Sequence, residues 1–152
     1  MAQLKRRAGW RSERGAELVE FALLLPLLLV VITGIADFAF LLRSYEVATN
    51  AAREGARVAV LPGYGAAAAT ARVAEYITAG GGGTSFVTTV TPVPVDMGAG
   101  NVGSGVQVTV QYTHDFLFIG WIVGLINGTL DSSVTYSTTA VMRSEIQGAG
   151  AP

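Results

Sequence analysis

The chain has 152 residues, a formal net charge of −1 and no cysteine. That length suits one small domain plus an anchor, the missing cysteines exclude disulfides and thiolate metal sites, and the near-neutral charge leaves no bulk attraction for nucleic acid. Hydrophobic residues make up 51% against 14% charged, more apolar than an ordinary soluble domain, and the excess is local.

The N-terminus is basic. Lys5, Arg6, Arg7, Arg11 and Arg14 are half of the ten Lys and Arg residues, opposed in that stretch by Glu13 alone. From Phe21 to Leu42 the sole charge is Asp37, and fifteen of these 22 residues are Leu, Ile, Val or Phe. A helix of that length crosses a hydrocarbon core of about 30 Å. Its apolar residues favour insertion by at most about 4–9 kcal/mol. Asp37, set near the C-terminal end, opposes it by about 3 kcal/mol or less. Two other readings fit less well: a buried core helix, which so small a domain is poorly able to surround, and a cleaved signal peptide, whose apolar run is usually only about 7–15 residues. The basic cluster predicts a cytoplasmic N-terminus and a C-terminal region across the membrane. Pro26 removes one backbone donor within the span and is expected to loosen the helix there.

The helix is expected to run on from Leu42 to about Val60, where Leu61-Pro62-Gly63 stops it. Ala48, Ala51, Ala52, Gly55, Ala56 and Ala59 allow close packing against a helix or beneath a sheet. Arg53, Glu54 and Arg57 read as either a solvated face with neighbouring-turn charge contacts or a contact surface. Ala66–Ala79 predicts a second helix, with Val73, Tyr76 and Ile77 at helical spacing, ended by a flexible glycine turn at 80–83. Phe86–Val95 reads as a strand, placed at a sheet edge by Pro92 and Pro94. Val102–Tyr112 alternates Val106, Val108 and Val110 against Gln107, Thr109 and Gln111, and Ser133–Met142 alternates more loosely. The fold class is therefore α+β: a long N-terminal transmembrane helix extended into a small domain, with a second helix and a short antiparallel sheet.

Between the last two strands, the apolar run 116–126 is too short to span a bilayer. It reads either as a core-capping loop or short helix, or as an exposed patch touching lipid headgroups or a partner through Trp121. His114 beside Asp115 reads as a polar pair at a turn, since a metal or catalytic site needs further groups. Asn127-Gly128-Thr129 matches a glycosylation sequon but reads as a turn. No catalytic, cofactor or metal site is expected.

Glu20, just inside the apolar run, is unfavourable facing lipid unless it is paired or reaches the headgroups. Gly15 precedes it by five positions and directly follows the basic leader, an arrangement that resembles a type IVb prepilin leader. Glu13-Arg14-Gly15-Ala16-Glu17-Leu18-Val19-Glu20-Phe21-Ala22-Leu23, then Leu25-Pro26-Leu27, Gly34-Ile35-Ala36-Asp37-Phe38 and Ala51-Ala52-Arg53-Glu54-Gly55-Ala56-Arg57, resemble the TadE-like family of the Tad (Flp) pilus and secretion machinery. Val141-Met142-Arg143-Ser144-Glu145 resembles that family's closing strand. The resemblance implies a processing site between Gly15 and Ala16, cut by a membrane prepilin peptidase on the cytoplasmic side. It also implies that Glu20 is an assembly charge pairing with a neighbouring subunit's new amine, and that the partners are other pilins or pseudopilins, the Tad inner-membrane machinery and the lipid bilayer. Asp37, Arg53, Glu54 and Arg57 are candidate helix contacts. The layout that the resemblance implies is a basic cytoplasmic prepilin-type leader at 1–15, a transmembrane and extended helix at 16–61, an extracytoplasmic pilin-like α+β domain at 62–148 and a tail at 149–152. An uncleaved single-pass anchor remains the alternative.

Overall fold

The computed structural model describes residues 10–83, 85–125 and 132–144. Of the expected leader, residues 1–9 lie outside this description, as do the Asn127 sequon, Glu145 of the closing strand and the tail at 149–152.

Helix α1 spans Trp10–Ala59 without interruption, passing through Pro26. Its 50 residues extend about 75 Å at 1.5 Å per residue. It ends where Leu61 N–H donates to the Val58 carbonyl, ahead of Pro62 and a left-handed Gly63. Helix α2, Ala66–Ala79, follows and packs back on the C-terminal half of α1. Strands β1 (Phe86–Asp96), β2 (Val102–Asp115) and β3 (Ser133–Arg143) form one antiparallel sheet in the order β1-β2-β3. Pro92 and Pro94 fall on edge strand β1, where a missing ladder donor is tolerated. Helix α3, Ile119–Leu125, interrupts the connection between β2 and β3.

The core lies between the C-terminal half of α1, α2 and one face of the sheet. Ala48, Ala51, Ala52 and Ala56 recur at helical spacing and are buried with Val73 and Ile77 of α2 and Val108, Val110 and Tyr112 of β2. Full burial of Val73 or Ile77 contributes about 1.5–3 kcal/mol each. The small residues of α1 let larger ones close in. A Cβ on Gly55 would meet Val73 Cγ2 at 2.5 Å, so only glycine lets α2 approach this near. Thr138 Oγ1 of β3 donates to the Ala48 carbonyl at 3.3 Å, tying the sheet to the helix.

Two expectations are corrected. The glycine run 80–83 is not a slack turn: Gly80, Gly81 and Gly82 donate to the carbonyls of Tyr76, Thr78 and Ile77, and Gly83 N–H donates to the Tyr112 hydroxyl at 2.9 Å. His114 and Asp115 do not sit at a turn either. Pairing of β2 with β3 continues through His114↔Val134 and Asp115↔Ser133, which keeps both residues in the strand.

Candidate functional site

Every residue of α1 from Gly15 to Ile32 is exposed among the described residues, although the segment is dominated by large apolar side chains. Leu23 is 75% and Leu18 70% exposed. The helix is long and apolar enough to cross a membrane, and the rest of the described chain leaves its apolar side chains from Leu18 to Ile32 largely uncovered, as suits a segment that meets hydrocarbon.

Gly15 and Ala16 lie within α1 and are exposed, and among the described residues nothing beyond the adjoining turns of α1 stands within 4 Å of where a Gly15 Cβ would be. Glu20 is exposed, one turn beyond Ala16 on the same helix face. These three residues thus form an open strip at the edge of the apolar segment, accessible to another molecule.

Asp37 is placed differently. It is 1% exposed, and its carboxylate accepts four backbone contacts from the entry to α3. Leu117 N–H donates to Oδ1 at 3.1 Å, Phe118 N–H to Oδ1 at 3.3 Å and Oδ2 at 3.0 Å, and Ile119 N–H to Oδ2 at 2.8 Å. These are donors that a helix start leaves unpartnered, and they suit a negative charge. Asp37, a candidate helix contact, is thus held here by backbone of its own chain about one half of the sequence away. The apolar run contains the short helix that was one of its two readings, and it also presents an exposed patch: Leu117 is 65% and Trp121 71% exposed.

Further along, Glu54 joins α1 to α2. It accepts from Arg57 Nε and Nη2 at 2.9 and 2.7 Å, and from Arg72 Nε at 3.1 Å. Arg72 in turn bonds Glu75 at 2.8 Å. This residue lies outside the apolar span, and the hydrogen bond from Arg57 is the main cause holding its carboxyl down from an ordinary 4.5 to about 2, with Arg72 adding to it and partial burial opposing it. Arg53 points to solvent. Of the three candidate contacts here, Glu54 and Arg57 make neighbouring-turn contacts, and Arg72, missed in the sequence, completes the cluster.

Another feature missed in the sequence is the contact of His114 with α1. Its Nδ1 lies 3.2 Å from Ser44 Oγ. The Ser44 hydroxyl also lies 2.8 Å from the Leu41 carbonyl, so its one proton is shared between two neighbours. The buried Nε2 has no partner among the described residues.

Neither the curated proteins nor the solved structures compared with this chain include a match. The family model described as TadE-like protein does match, over residues 15–57, so the bare apolar helix and its alanine-rich continuation are similar to that family.

Proposed function

We propose that the chain is a minor pilin or pseudopilin of a Tad/Flp-type pilus biogenesis and secretion apparatus. It acts by helix packing and subunit assembly, without catalysis of its own, after a prepilin peptidase cuts between Gly15 and Ala16. The observation carrying this reading is the division of one helix: residues 15–32 are bare while the C-terminal half is built into a folded α+β domain. Such a subunit can exchange lipid for neighbouring helices without refolding its domain. The TadE-like match over residues 15–57 supports the Tad assignment. The basic N-terminus favours a cytoplasmic leader at a bacterial inner membrane, with the domain extracytoplasmic.

Gly15 supports the cut in a further way. It is helical in the uncleaved chain, a peptidase needs extended backbone, and glycine gives up helix more easily than alanine by about 1 kcal/mol. N-terminal sequencing and intact mass from the native host test the reading. A mature start at Ala16 is expected, and Gly15→Leu should leave the full leader in place; normal maturation of that variant defeats the proposed site. Glu20→Ala should be cut yet assemble poorly, and wild-type piliation or secretion would remove the pairing role from Glu20.

One observation favours a second reading. Because α1 continues unbroken through Gly15 towards Trp10, an uncleaved single-pass scaffold of the cell envelope needs no rearrangement at all. A native protein that retains Lys5–Arg14 would establish it.

A further inference from the structure

We propose that the segment Leu117–Leu125, containing α3, is inserted in the bilayer beside α1 and contacts lipid acyl chains, held there by Asp37. This rests on α1 crossing a membrane, and not on cleavage at Gly15 or on entry into a pilus.

The depth argument comes from α1 itself. Crossing the hydrocarbon takes about 20 residues, and a span of that length starting anywhere from Glu17 to Phe21 includes Pro26, Leu29, Val30 and Thr33. Those same residues line an apolar groove of about 700 Å³ whose other wall is Leu117, Phe118, Trp121 and Ile122. A segment that shares a groove with the middle of the span stands at the depth of the span. The chemistry of the segment agrees with that depth. Residues 116–126 carry no charged side chain, and Leu117 and Trp121 project away from the protein, an arrangement disfavoured in water and favoured in hydrocarbon. Thr33 satisfies its hydroxyl internally by donating to the Leu29 and Val30 carbonyls.

Backbone entering a bilayer outside a helix must have its polar groups satisfied by protein. At the entry to α3, Asp37 takes the N–H groups of Leu117, Phe118 and Ile119. The same contacts solve the complementary problem of a carboxylate close to the hydrocarbon, which is unfavourable unpaired. Each group is therefore the other's reason for being tolerated at that depth. The occupant of the groove is lipid because its α1 wall lies inside the acyl-chain region and its lining is almost wholly carbon.

The test uses the full chain in phosphatidylcholine vesicles whose acyl chains are brominated near mid-chain, a short-range quencher of tryptophan. The chain has two tryptophans, so Trp10→Phe leaves Trp121 as the sole reporter. A second protein, Trp10→Phe/Trp121→Phe/Leu28→Trp, reports on the span. Both reporters are expected to lose most of their emission in brominated vesicles and to resist aqueous acrylamide. Adding Asp37→Ala should restore the Trp121 signal and leave the Leu28→Trp reporter quenched. Quenching at position 28 alone would overturn insertion of α3 while leaving the span intact. Quenching at neither position would overturn the span and the proposal with it. Protection of Trp121 from both quenchers would show it covered by protein, such as a second copy, and would overturn the lipid assignment. If Asp37→Ala left Trp121 fully quenched, the holding role of Asp37 would be wrong.

Discussion

The two halves of α1 reverse the usual relation between side-chain size and burial. In the N-terminal half, Phe21, Leu23, Leu27 and Ile32 are large and exposed; in the C-terminal half, Ala48, Ala51, Ala52 and Ala56 are small and fully buried. One continuous backbone carries both patterns. The difference teaches that large apolar side chains here specify a solvent, whereas small ones specify a fit. The first half needs only to be greasy over a sufficient length. The second half must let a helix and a sheet come near, which requires the absence of side chain at defined positions.

That contrast can be broken most strongly through the residues that fill the space left by the alanines. Ile77 is fully buried against α1, and Ile77→Ala should destabilise the domain by about 2–5 kcal/mol, read as a lower unfolding midpoint by circular dichroism in detergent. A loss below half that range would mean the core can collapse around the missing volume. The next effect compares two glycines of the same helix. Gly55→Ala should destabilise by about 1–3 kcal/mol through overpacking on Val73. Gly34→Ala, with no atom near the new Cβ, should be neutral or stabilise by up to about 1 kcal/mol through better helix propensity. Equal effects at the two sites would dissolve the distinction between the halves. The smallest effect concerns acid. Glu54 has its pKa lowered on folding, so the stability it contributes is fully present above about 4.5 and is lost as pH falls towards 2. Glu54→Gln should flatten that part of the stability–pH curve, and an unchanged acid slope would show that the Arg57 and Arg72 contacts do not persist in solution.

Local periodicity made much of this fold readable in advance. The 3.6-residue spacing of Val73, Tyr76 and Ile77 and the strict alternation of Val106, Val108 and Val110 report on their own neighbourhoods, and the prolines of β1 announce an edge. The nearness of Gly15, Ala16 and Glu20 is local too, since they fall within a few residues of chain. What escaped was long-range. Asp37 read as a charge tolerated near a membrane boundary, because nothing in its surroundings points to the N–H groups at 117–119, 80–82 residues away. His114 beside Asp115 looked like a turn pair because a strand's length is set by its neighbour, and β3 supplies partners to the end of β2. The glycines at 80–83 looked slack because their role depends on a tyrosine hydroxyl from β2.

The passage of α1 from the bare half into the core without a linker has a mechanical consequence. A domain joined to its anchor by a flexible tether can swivel, and force on the tether is dissipated as the tether straightens. Here the same rod that carries the bare apolar half is gripped by the sheet through the Ala48 carbonyl, and nearer its N-terminus by the entry to α3 through Asp37. Two grips at different heights on one rod resist tilting as well as pulling. A displacement of the helix along its axis would therefore be delivered to the sheet as motion of the whole domain, as in a mast that carries its head with it.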